Sequence, residues 1–64
     1  MAKIVIRNKR EVSDQILEKF GTIEKFAEES GLAYEMILDA LISTGFADPE
    51  VATALRENGI SVET

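Results

Sequence analysis

The chain contains no cysteine, no histidine and no tryptophan, and has one proline in 64 residues. Without cysteine there is no disulfide framework and no thiolate nucleophile; without histidine as well, the usual zinc, copper and haem ligand sets lose their donors. Long apolar runs are also missing. Ile4-Val5-Ile6 is far too short for a signal-peptide core, and the most apolar stretch, residues 36–42, is interrupted by Asp39. These absences point to a soluble, cytoplasmic protein with no membrane span, no metal and no cofactor. Basic residues are scarce too: 7 Lys and Arg stand against 12 Asp and Glu, a net charge of −5 with a pI near 4.5.

What remains is the composition of a folded chain, 45% hydrophobic with mean hydropathy near zero. Sixty-four residues make one small domain, residues 1–64. A domain of this size buries only about 60% of the surface that its unfolded chain exposes, so its stability is modest or helped by self-association.

Charge is unevenly divided along the chain. The first ten residues hold Lys3, Arg7, Lys9 and Arg10 and no acid, whereas residues 11–64 hold three bases against twelve acids, a net −9. Residues 3–7 are short and β-branched and lead into Asn8-Lys9, which predicts a strand followed by a turn, with Ile4 and Ile6 on one face. From Val12 onward the period becomes helical: Val12, Ile16, Leu17 and Phe20 form a stripe, with Ser13 or Asp14 as cap and Gly21 as stop. Thr22 is placed to cap a second helix, Ile23–Ser30, with Ile23, Phe26 and Ala27 inward and Gly31 at its end. A third helix is expected over residues 34–44. It carries six apolar residues, Met36, Ile37, Leu38, Ala40, Leu41 and Ile42, too many for one face, and Gly45 stops it. Asp48-Pro49-Glu50 is the strongest helix start in the chain, opening a fourth helix over residues 49–58. Beyond Gly59, Ile60-Ser61-Val62 reads as a second short strand able to pair with the first.

Between residues 23 and 42, Ala27, Gly31, Leu32, Ile37 and Ala40 stand at the spacing that two short helices need to cross closely around a tight turn. This pattern resembles the helix-turn-helix of the phage Cro and repressor-like family, here over residues 23–44. Phe20-Gly21 before it and residues 48–55 after it extend the likeness to about residues 12–60. The resemblance implies a mainly α, four- to five-helix repressor-like domain, with a short N-terminal strand pairing a C-terminal one. It also implies a dimeric transcriptional regulator that binds DNA. Leu41-Ile42-Ser43-Thr44-Gly45-Phe46 followed by Ala54-Leu55 is similar instead to a ubiquitin-associated three-helix module, which would continue into another helix after Asn58.

In the repressor-like family the second helix of the motif enters the major groove. Carried over by position, its outward residues here are Ala33, Tyr34, Glu35, Leu38, Asp39 and Ile42. None is basic or an amide, and no Arg, Lys, Asn or Gln occurs between Leu32 and Gly45, although these side chains make the common bidentate base contacts. DNA affinity rests on neutralising phosphates, and a surface carrying nine excess negative charges is repelled by a duplex. Lys3, Arg7, Lys9, Arg10 and Lys25 are the candidate phosphate contacts; the alternative for the arm is a solvated strand edge that discourages aggregation.

Tyr34, Glu35, Leu38, Asp39 and Ile42 therefore form either a DNA-facing surface or a mixed apolar and acidic ridge that binds a protein partner or a second copy. Leu38 and Ile42 are equally readable as core. A helix-turn-helix scaffold used as an acidic inhibitor or antirepressor is the alternative function. No enzyme is expected: the acids are spread along helices as solvated faces, and the glycines are spaced as helix stops and build no phosphate loop.

Overall fold

The computed structural model describes residues 3–64. The order is β1 (Ile4–Val5), α1 (Lys9–Phe20), α2 (Ile23–Ser30), α3 (Tyr34–Leu38) continuing without a break into a π-helical segment (Asp39–Ser43), β2 (Phe46–Ala47) and α4 (Pro49–Glu57). The chain is mainly helical, with four α-helices and a two-stranded antiparallel sheet among the described residues. No helix there is long and apolar enough to cross a membrane.

One core joins all the elements. Ile6, Val12, Ile16, Phe26, Ile37, Val51 and Leu55 are fully buried, and Ile60 and Ala27 nearly so. Phe20 packs on Phe26 with ring centroids 5.1 Å apart. No polar or charged residue is buried among those described, so the helices cohere through apolar contact alone.

The boundaries of α2 follow from local chemistry. The Thr22 hydroxyl accepts the backbone N–H of Lys25 at 3.0 Å, satisfying one of the free amides of the first turn. At the other end Gly31 adopts φ 75°, ψ 18°, and the Leu32 N–H returns to the Ala27 carbonyl at 3.0 Å. This left-handed closure breaks the helix and lets α3 start at Tyr34 and pack on α2. Ile37 and Ala40 are fully buried, and Leu32 lies half-buried at the corner.

Several expectations are corrected. α1 begins at Lys9, three residues before its first apolar position, so neither Ser13 nor Asp14 is its cap. Asn8 stands at that boundary. Its amide nitrogen donates to Glu11 Oε1 and to the Ser61 carbonyl, while its Oδ1 accepts the Glu63 N–H at 2.8 Å. Lys9 and Arg10 thus belong to the first turn of α1 and not to a basic N-terminal strand or arm over residues 1–10. Leu17, expected on the inward stripe, is about half exposed. Asp48 precedes α4 but makes no side-chain capping bond; Pro49 at the first position and the bond from the Val51 N–H to the Asp48 carbonyl open that helix.

The partner of β1 is β2, with Ile4 opposite Ala47 and Val5 opposite Phe46, and not residues 60–62. The C-terminal segment runs beside Arg7 and Asn8 but is held by single bonds, the Arg7 N–H to the Glu63 carbonyl at 2.7 Å and the Asn8 side chain. Among the described residues no further helix follows Glu57.

Candidate functional site

α3 is short, and its second half winds more widely. Over residues 39–43 the backbone turns with more than 3.6 residues per turn, so each residue advances by less than the α-helical angle. The end of the segment is gathered on one oxygen. The Asp39 carbonyl accepts the N–H of Thr44 at 3.2 Å, the N–H of Gly45 at 2.9 Å and the Thr44 hydroxyl at 3.2 Å, and the same hydroxyl accepts the Phe46 N–H at 3.2 Å. Such π-helical turns are uncommon and concentrate at functional positions.

This winding answers how a helix with six apolar residues distributes them. Ile37, Ala40 and Leu41 are buried and Met36 is half-buried on the same side. Leu38 is half-buried, and Ile42 is turned out with 67% of its surface exposed, so the reading of both as core does not hold. Tyr34 is 42% exposed, and Glu35 and Asp39 are exposed. The structure therefore brings the five positions 34, 35, 38, 39 and 42 together on the outward side of one continuous helix.

Two further exposed apolar residues, which the sequence reading did not single out, lie on the ribbon that this helix leads into. Val5 and Phe46 sit opposite each other in the ribbon and are 44% and 48% exposed; directly opposed residues in an antiparallel pair share a face. β2 follows the π-helical segment through Gly45 and packs against it. Val5 was legible as the residue alternating out between Ile4 and Ile6. Phe46 carried no period, since its strand has only two residues.

The candidate phosphate contacts are not brought together as one cluster. Lys3, Arg7 and Arg10 are exposed. Lys9 is half-buried, and its stem lies over Gly45, where an added Cβ would fall 2.6 Å from Lys9 Cε. Lys25 approaches Glu29 one turn away at 3.8 Å. Glu35 in the first turn of α3 opposes the positive end of that helix dipole, which stabilises the helix and weakens its pull on a phosphate.

Two surface depressions, about 410 Å³ beside Ile60 and about 320 Å³ between Leu32 and Thr53, are open to solvent and include no residue of α3. Among the described residues no group of three or more acidic side chains is placed to hold a metal ion. Comparison with protein-family models, curated proteins and solved structures found no match.

Proposed function

We propose that the chain is a small regulator built on a Cro/repressor-like helix-turn-helix scaffold, in which the outward face of α3 engages a protein surface and not a DNA groove. The observation that carries this reading is the pairing of Ile42, 67% exposed, with Tyr34, Glu35 and Asp39 on a helix that bears no base and no amide. An exposed apolar side chain rimmed by acids gains by desolvation against a protein; against a duplex the same acids meet phosphates and the isoleucine meets water-filled groove. The sharp turn at Gly31 supports the helix-turn-helix likeness, since it is the element by which α3 lies across α2.

A second reading keeps the DNA function of the family. It is favoured by one observation: Lys3, Arg7 and Arg10 are exposed and have no carboxylate within ion-pair distance among the described residues, so a dimer would present two sets of phosphate contacts.

The two readings separate in an anisotropy titration with labelled random-sequence duplex at about 50 mM and about 200 mM salt. Protein recognition predicts no saturable binding at either. DNA recognition predicts binding at low salt that falls steeply, by orders of magnitude for several phosphate contacts.

A further inference from the structure

Bases and acids stand at opposite ends of a run of exposed apolar residues that passes from the third helix into the ribbon it leads to. At one end Lys3 precedes and Arg7 follows β1, each two residues from Val5, and all three are exposed while Ile6 is buried. Phe46 lies opposite Val5, Ile42 lies on the segment that leads into β2, and Leu38 precedes it by four residues. At the other end stand Glu35 and Asp39. Lys25 with Glu29 is the one ion pair among the described residues, so Lys3, Arg7, Glu35 and Asp39 have no ionic partner there.

We infer that this surface is a twofold interface with a second copy of this chain, the basic end of each protomer lying on the acidic end of the other. The inference rests on the reading of the α3 face as protein-binding and names its partner. A twofold contact joins a patch to itself, so residue i of one copy meets j of the other and j meets i. A patch with a base-bearing end, an apolar middle and an acid-bearing end is complementary to itself under that operation. A foreign partner would have to supply the same charge order independently.

Area points the same way. Val5, Tyr34, Ile42 and Phe46 together expose on the order of 400 Å², the size at which an apolar patch on a monomer acquires a role. With the charged rim, the face approaches the roughly 800 Å² per partner of a standard interface. That is about a fifth of the 3994 Å² surface of the chain, a large gain for a domain with so small a core. The net charge of −5 does not prevent association. Charges more than about 10 Å apart are largely screened at about 0.1 M salt, whereas the cross-protomer pairs are in contact.

Sedimentation velocity over about 1 μM to 1 mM protein, at about 50 mM and 500 mM salt, tests this. The wild type is expected to dimerise, more weakly at high salt. Ile42→Glu, at a position that leaves the core untouched, is expected to weaken the dimer at least about tenfold. Lys3→Glu with Arg7→Glu gives a chain acidic at both ends, and Glu35→Lys with Asp39→Lys gives one basic at both ends. Each is expected to be monomeric alone, and the two mixed are expected to form a heterodimer. A wild-type monomer at 1 mM overturns the inference, as does a dimer indifferent to Ile42→Glu and to both charge variants. A monomer that also ignores duplex removes the second copy and leaves the protein reading of α3. A dimer that binds duplex with steep salt dependence removes that reading and leaves the dimer.

Discussion

Replacing Gly45 by alanine tests how the third helix is closed and what Lys9 does there. Gly45 has φ 81°, and a Cβ at that position would lie 2.6 Å from Lys9 Cε and 3.0 Å from Lys9 Nζ. Two costs follow. The left-handed backbone alone costs an L-residue about 1–2 kcal/mol. The contact adds little to it, because the atoms met are the far end of the flexible Lys9 side chain, which swings aside at a cost of under about 0.5 kcal/mol. Gly31 supplies the internal reference, because its φ is 75° but a Cβ there meets nothing within 4 Å. Gly31→Ala should therefore show the backbone cost alone, about 1–2 kcal/mol, and Gly45→Ala the same to within about 0.5 kcal/mol. In a Lys9→Ala background the Gly45→Ala cost should stay the same to within about 0.5 kcal/mol. Urea unfolding followed by far-ultraviolet circular dichroism measures all four variants, with unchanged slopes as the check that only stability has moved. The total stability of a 64-residue domain is about 3–10 kcal/mol, so these differences are readily resolved. A Gly45 cost that exceeds the Gly31 cost by about 1 kcal/mol or more and is relieved by Lys9→Ala would refute this reasoning and show the lysine to be held rigidly over the glycine.

Asn8→Ala removes three hydrogen bonds, two of them to the C-terminal segment. About 1 kcal/mol should be lost, with faster hydrogen exchange at the Glu63 amide and little change at Phe26. Thr22→Ala should cost about 1 kcal/mol in thermal or urea unfolding by leaving the Lys25 N–H uncapped. Ile37→Val, at a fully buried position under α3, should cost about 0.5–1.5 kcal/mol without altering duplex binding or oligomeric state. Removing the Lys25 to Glu29 contact with Glu29→Gln should change stability by less than about 0.5 kcal/mol, since both side chains are half exposed.

The middle of the chain was legible because its boundaries are set by residues acting on their own backbone. Thr22 caps α2, Gly31 and Gly45 accept positive φ, and Pro49 opens α4. The start of α1 was not legible, because Asn8-Lys9-Arg10 puts bases at the positive end of a helix dipole. Tertiary contacts override that preference, the Asn8 side chain on residues 61 and 63 and the Lys9 stem on Gly45. The ribbon was mispaired for a similar reason. Ile60-Ser61-Val62 has the β-branched alternation of a strand, whereas Phe46-Ala47 is too short to show any period. Yet Ile60 is drawn into the core after α4, its N–H bonded to the Leu55 carbonyl. The five outward positions of α3 were found by helical spacing, but whether Leu38 and Ile42 are core or surface was not. For Ile42 that goes with the wider winding of residues 39–43, which ends on the Asp39 carbonyl and has no signature in the apolar pattern.

The account depends on what touches the outward side of α3, and amide chemical-shift mapping of isotopically labelled protein reports this directly. Raising the protein concentration should move the resonances of Leu38, Asp39, Ile42 and Phe46, and adding random-sequence duplex at low salt should leave them in place. Duplex-dependent shifts at these four residues, with none on concentration, would contradict it.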